Sequence, residues 1–65
     1  MKIIVNGVES EVKSTALSEI LDELGYGDAK VATAVNERFV AAASRPQLRL
    51  VSGDRLEVVT PRQGG

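Results

Sequence analysis

The chain has 65 residues, of which 43% are hydrophobic and 26% charged, and its formal net charge is −1. This size allows one small globular domain with little room for an enclosed active site. The chain has no cysteine and no histidine. This excludes disulfides, catalysis by a thiolate, catalysis by a Ser-His pair and the usual zinc sites. No apolar run could cross a bilayer, and Asn6-Gly7 interrupts the first one, so we expect no signal peptide and a cytoplasmic protein beginning at Met1.

The charges are distributed unevenly along the chain. Residues 1–30 carry three lysines against six carboxylates, whereas residues 31–65 carry five arginines against three. A net charge near zero predicts no binding to nucleic acid or membranes. The basic half is either an ordinary solvated surface or a surface that meets an acidic partner.

The first half of the chain predicts a β-hairpin followed by a helix. Lys2 to Val5 is a β-branched run, Asn6-Gly7 suits a tight turn, and alternation from Val8 to Lys13 indicates a half-buried strand. Thr15 is the expected N-cap of a helix of about ten residues that ends at Gly25. Its apolar stripe consists of Leu17, Ile20, Leu21 and Leu24.

The second half predicts a second hairpin and a final strand. Between them, residues 41–49 form an irregular crossing segment, because Pro46 opposes the helix that the alanines favour. The expected elements are a strand at 31–35, a turn at Asn36-Glu37, a strand at 38–40, a turn at 52–54 and a strand at 55–60.

These elements predict an α+β fold of the ubiquitin-like β-grasp type, a mixed sheet of four to five strands packed on one helix. The first and last strands are apolar on both faces, so we place them side by side and parallel at the centre of the sheet. The domain spans residues 1–60, and residues 61–65 form a flexible C-terminal tail ending in Gly64-Gly65.

The tail is the most informative feature of the sequence. Five extended residues reach up to about 17 Å, and two residues without Cβ can thread a channel that any side chain would block. The terminal carboxylate is ionised at neutral pH and unreactive until activated. Attack on the α-phosphate of ATP followed by displacement with a sulfur donor would yield a thiocarboxylate. Taken alone, Gly-Gly is also compatible with a frayed end or a cloning scar.

Nearly the whole chain resembles the ThiS family, the bacterial sulfur carriers of thiamine biosynthesis. The Gly-Asp strand followed by the Gln-Gly-Gly terminus is the most specific part, and Ala41-Ala42-Ala43 departs from the more polar turn of such carriers. The matching stretches are Ile3-Ile4-Val5-Asn6-Gly7, the Leu17 to Leu24 helix, Val31-Ala32-Thr33-Ala34-Val35-Asn36, Ser52-Gly53-Asp54-Arg55-Leu56-Glu57-Val58-Val59 and Pro61-Arg62-Gln63-Gly64-Gly65.

The resemblance implies a protein cosubstrate and not an enzyme. Gly65 would be adenylated by a ThiF-like enzyme using ATP and magnesium, converted to a thiocarboxylate by a sulfur donor enzyme, and would pass its sulfur to a ThiG-like thiazole synthase. Gly64, Gln63 and Arg62 would be the residues that thread into the activating enzyme. No cofactor or metal is expected on the carrier itself.

Several alternatives stay open at this point. The molybdopterin-synthase small subunit shares the fold and the terminal Gly-Gly, a ubiquitin-like modifier would use the same activation, and a plain interaction module would leave the tail idle. Arg62 is either read by the activating enzyme or is a solubilising charge. Phe39 belongs to the core or the sheet surface, and if exposed it forms with Val40 a candidate docking site for a partner.

Overall fold

We describe residues 1–61 of a computed structural model; residues 62–65 lie outside the described part of the chain. One α-helix packs on one face of a mixed β-sheet. The elements in chain order are β1 (Lys2–Val5), β2 (Val8–Glu11), α1 (Leu17–Glu23), β3 (Ala32–Val35), β4 (Arg38–Val40), a 3₁₀ turn (Ala42–Ser44) and β5 (Arg55–Val59). No helix among these residues is long and apolar enough to span a membrane.

The five strands follow the order β2-β1-β5-β3-β4. β5 is the central strand, with the β1–β2 hairpin on one side, where β1 and β5 are parallel, and the β3–β4 hairpin on the other. The β-grasp prediction is therefore confirmed, including the placement of the first and last strands. β1 and β4 have the predicted limits, whereas β2, β3 and β5 are one or two residues shorter than predicted, because only the paired residues form the ladder.

The core lies between the helix and the covered face of the sheet. Leu17, Ile20 and Leu21 are buried, and Leu24 packs against them, so the predicted apolar stripe of α1 is confirmed. The strands contribute Ile3, Val40, Leu56 and Val58, and the core also includes Val12, just after β2, and Leu50, just after the crossing segment. Tyr26, which follows the helix, packs against this core.

The end of α1 is confirmed and its beginning is corrected. Gly25 adopts φ +91°, and the Tyr26 N–H donates to the Leu21 carbonyl (2.9 Å), which is the hydrogen bond of a Schellman motif. The helix has seven residues, not ten, and Ala16, not Thr15, occupies the N-cap without a side-chain bond. The Thr15 hydroxyl instead accepts a hydrogen bond from Arg49 (2.8 Å).

Backbone carbonyls of the crossing segment cap the N-terminus of α1, a role that the sequence had predicted for Thr15. The Leu17 N–H donates to the Leu48 carbonyl at 2.9 Å, and the Ser18 N–H donates to the Arg45 carbonyl at 3.3 Å. These carbonyls satisfy N–H groups that a helix start leaves without intrahelical partners. The helix N-terminus is thus capped by tertiary contact, which no local pattern in the sequence reveals.

The irregular segment predicted for residues 41–49 contains the 3₁₀ turn and is held against β3 by Arg45. The guanidinium of Arg45 donates to the Val31 carbonyl (2.7 Å) and to the hydroxyl of Thr33 (3.1 Å). Thr33 is itself buried and donates to the Val40 carbonyl (2.9 Å). One cation therefore satisfies the polar groups at the margin of the core.

Glu23, at the last turn of α1, fastens the loop that enters the helix. Its carboxylate accepts hydrogen bonds from the backbone N–H groups of Lys13 (2.9 Å) and Ser14 (2.6 Å). The Lys13 bond, followed by bonds from Ser14, holds the pKa of Glu23 below its ordinary value of 4.5. These bonds favour the charged form of an exposed side chain.

Candidate functional site

The last strand, β5, carries the predicted tail and lies at the centre of the sheet. It pairs with β1 in parallel on one side and with β3 in antiparallel on the other. Leu56 and Val58 are buried in the core, so the strand is anchored by side chains as well as by its two ladders. The chain leaves the sheet after Val59 and continues through Thr60 to Pro61.

Two asparagines hold β5 from opposite sides. The amide of Asn6 donates to the Val58 carbonyl (3.2 Å) and accepts from the Val58 N–H (2.9 Å). Asn36 accepts from the Arg55 N–H (3.0 Å) and donates to the carboxylate of Asp54 (3.0 Å). Both asparagines start hairpin turns with positive φ (49° and 50°), so each amide serves the turn and the neighbouring strand.

The sequence pattern predicts these asparagines only as turn residues. A signal for their second role exists, because each follows the last valine of a strand, at Val5-Asn6 and Val35-Asn36. Both hairpins flank the same central strand, and this shared position lets the two amides reach β5. Only the order of strands in the sheet shows which strand each amide can reach.

The face of the sheet opposite the helix is open and carries an apolar patch beside the tail exit. We call the open-face patch the set Ala32, Ala34, Phe39 and Val59. Phe39 pairs with Ala34, and Ala32 pairs with Val59, so the four side chains share one face. Phe39 is 74% exposed and Val59 is 61% exposed. Exposed apolar groups gathered on one face mark a surface for interaction.

Charged side chains border the open-face patch. Glu57 lies between Ala34 and β1 on the same face, and Arg55 forms an exposed ion pair with Glu37 (3.7 Å). Farther from the patch, between β1 and β2, Lys2 and Glu9 approach to 4.0 Å. Exposed pairs of this kind contribute little to stability. An apolar centre with a polar border is the usual anatomy of a protein interface.

The comparisons with known proteins identify the family of this fold. The sequence model of the ThiS family matches residues 3–65. The chain belongs to the ThiS family. A solved structure described as the thiamine biosynthesis protein (ThiS) from Geobacter metallireducens superposes with a TM-score of 0.85 at 26% identity, covering 100% of both chains.

A curated relative extends the likeness to a longer protein. The chain is 36% identical over 66 residues to a thiazole synthase of Paramagnetospirillum magneticum (strain ATCC 700264 / AMB-1). The alignment covers 100% of this chain and 20% of that protein, so the chain spans about a fifth of its length. The ThiS family, to which this chain belongs, is a family of sulfur carriers of thiamine biosynthesis.

The structure separates the two residues predicted to dock partners. Phe39 lies on the open face and is available there. Val40 points to the opposite face and is 9% exposed within the core, because side chains alternate along β4. The expectation that Val40 joins Phe39 on a docking surface is therefore corrected.

The other predicted site residues, Arg62, Gln63, Gly64 and Gly65, lie outside the described residues, and their roles stay predictions. Asp54 lies in the turn predicted at 52–54, where its carboxylate accepts a hydrogen bond from the Val51 N–H (2.9 Å). Within residues 1–61 no group of three metal-binding side chains is found.

Proposed function

We propose that the chain carries sulfur on the carboxylate of Gly65. A carboxylate oxygen attacks the α-phosphorus of ATP in a ThiF-like, magnesium-using enzyme, forming the acyl-adenylate and releasing pyrophosphate. Hydrosulfide (HS⁻) supplied by a donor enzyme then attacks the acyl carbon and expels AMP, which leaves a thiocarboxylate. The thiocarboxylate passes its sulfur to a thiazole synthase. The carrier contributes a presented terminus and no catalytic group, and these steps take place in the cytoplasm.

The observation that carries the proposal is the family match, which runs through residue 65 and so includes Gly64-Gly65. The geometry of β5 supports it. The strand is held by two ladders, two buried side chains and the amides of Asn6 and Asn36, so the tail starts from a fixed point. A fixed base lowers the entropy that a partner must overcome to position the reacting carboxylate.

The open-face patch supports docking of the activating enzyme close to the tail. Val59 belongs to the patch and is two residues from Pro61, so a partner seated on the patch lies at the start of the tail. Phe39 is the aromatic anchor that such an interface uses. The polar border supplies the charges that orient the partner.

Transfer to thiazole synthase is supported by the Paramagnetospirillum relative. About a fifth of that thiazole synthase aligns with the whole of this chain. A carrier-like segment within a thiazole synthase would place donor and acceptor together at high effective concentration. A carrier that is a separate protein would need a docking surface to bring its tail close to the synthase, and the open-face patch is the candidate for that surface.

Substitution at the terminus tests the threading hypothesis directly. We expect Gly65→Ala to lower loading at least about tenfold, because a channel that fits a residue without Cβ excludes the methyl group. Loading would be followed by intact-protein mass spectrometry with ATP, magnesium, a ThiF-like enzyme and a sulfur donor. An unchanged unfolding midpoint would show that the domain is intact. Normal loading of Gly65→Ala would contradict the threading hypothesis.

The same assay on the wild type decides between the alternatives. A mass gain equal to replacement of one oxygen by sulfur, mapped to Gly65, supports the carrier. Conjugates of higher mass on lysines would indicate a ubiquitin-like modifier. Absence of both adenylate and thiocarboxylate with the host's own activating enzyme would refute the proposal. A thiocarboxylate consumed by a molybdopterin-synthase large subunit and not by thiazole synthase would reassign the acceptor.

A further inference from the structure

A second surface lies at the end of the sheet remote from the tail exit. A groove of about 500 Å³ opens between the β4 edge and the crossing segment. Its walls include Arg38 and Val40 from β4, and Leu48 and Arg49 from the crossing segment. Val35 and Asp54 also line it, which places it at the opposite end of β3 and β5 from the Ala32–Val59 pair. Phe39 belongs to both surfaces, and from it the groove extends toward Val35 and Asp54 whereas the open-face patch extends toward Ala32 and Val59.

The backbone of Phe39 is free to pair with another strand. The turn between β3 and β4 has two residues, Asn36 and Glu37, both with positive φ, so the pair that closes it, Val35 and Arg38, is hydrogen-bonded. Alternation makes the next pair, Ala34 and Phe39, the non-hydrogen-bonded one. The N–H and C=O of Phe39 therefore point outward from the edge. Within the described chain neither group hydrogen-bonds outside the sheet.

The charges at this edge favour an acidic occupant. Arg38 forms no salt bridge with any residue of 1–61. Arg49 uses one donor on Thr15 and, as a guanidinium, has others available. Asp54 is already engaged by Asn36 and the Val51 N–H. The other edge strand, β2, carries the carboxylates of Glu9 and Glu11. Of the two edge strands, only β4 therefore presents a cationic side chain.

We propose that the β4 edge binds a short acidic extended segment of a partner protein by strand addition. The segment pairs antiparallel with β4, and one of its residues exchanges both backbone hydrogen bonds with Phe39. The next residue lies opposite Arg38 and is acidic, and the preceding residue lies opposite Val40 and is apolar, facing the groove beside Leu48. This contact needs neither the tail nor its chemistry, so it stands or falls independently of the proposed function.

The peptide acetyl-Ser-Leu-Val-Glu-Ser-amide is the probe, titrated into the ¹⁵N-labelled full chain. We expect the Phe39 amide resonance to move downfield and its hydrogen exchange to slow on binding. Acetyl-Ser-Leu-Val-Lys-Ser-amide is the matched control, and we expect it to bind about fivefold more weakly, since a cross-strand attraction becomes a repulsion.

Charge reversal on the carrier completes the test. In Arg38→Glu we expect the preference between the two peptides to invert, whereas Lys30→Glu, an exposed cation in a loop, should leave it unchanged. Far-UV circular dichroism confirms that both variants are folded. A Phe39 amide that does not respond to millimolar peptide would overturn the proposal, as would an unaltered preference in Arg38→Glu. Concentration-dependent self-association that perturbs the same amide would also overturn it, by making a second copy the occupant.

Discussion

Neighbouring residues on β4 should have opposite roles, and a pair of substitutions tests this. Phe39 is 74% exposed on the open face, whereas Val40 is 9% exposed in the core. We expect Phe39→Thr to impair loading without altering stability, because threonine keeps the preference for a strand. We expect Val40→Ala to lower stability without impairing loading while the domain remains folded.

The magnitudes follow from the buried areas. A phenylalanine side chain contributes roughly 200 Å², and three quarters of this, about 150 Å², is available to a partner. At about 25 cal/mol per Å² the upper limit is about 4 kcal/mol. Threonine retains part of this contact, so we expect a loss of about 2 kcal/mol, or about thirtyfold in kcat/KM. Val40→Ala should cost about 2 kcal/mol of unfolding free energy through transfer and cavity terms.

The assay is adenylation by the ThiF-like enzyme, followed as pyrophosphate release over a range of carrier concentrations, with urea unfolding of each variant alongside. A domain of this size has about 3–10 kcal/mol of stability, so Val40→Ala remains largely folded at 25 °C. Equal kcat/KM for Phe39→Thr and wild type would refute docking on the open-face patch. A loss in kcat/KM for Val40→Ala at full foldedness would refute the assignment of that side chain to the core alone.

Three further substitutions test the contacts that hold the fold. Arg45→Met should lower the unfolding free energy by about 2 kcal/mol, since the Val31 carbonyl loses a charged donor; calorimetry measures this, and an unchanged Tm would contradict it. Asn6→Ala should cost about 2–3 kcal/mol, from a methyl side chain at positive φ and two lost bonds to Val58; amide exchange at Val58 should accelerate. For Glu23 the folded pKa lies below 4.5, so its stabilisation is present above that pH and is lost as the pH falls through the folded pKa. In Glu23→Gln the unfolding free energy should therefore fall less steeply with decreasing pH than in the wild type. The same fall in both proteins would refute this role of Glu23.

Most elements were predictable because their signals are local. The two-residue turns, the apolar stripe of α1 and the Gly25 terminus depend on residues within a few positions of one another. The placement of β1 beside β5 was predicted from their apolar residues and is confirmed, although β5 is apolar on one face only, since Arg55 and Glu57 are exposed on the other. The start of α1 was mispredicted because its caps come from Arg45 and Leu48, which only folding brings near.

The chemistry proposed for the tail rests on the sequence, and it stays a prediction because residues 62–65 lie outside the described part of the chain. Threading requires residues without Cβ, and that property of Gly64 and Gly65 can be read from the sequence. Alternation along β4 already implied that Phe39 and Val40 point to opposite faces. Which of these two side chains is exposed to solvent depends on which face of the sheet the helix covers.

The sequence by itself determined the element order, the fold class, the exclusion of histidine and cysteine chemistry and the family. These depend on composition, period and local turn geometry. Only the tertiary structure decided which face of the sheet stays open, how Asn6 and Asn36 hold the central strand, and how a groove with two arginines forms beside the β4 edge. Each of these joins residues far apart in the chain, and their contacts exist only once the strands have taken their order in the sheet.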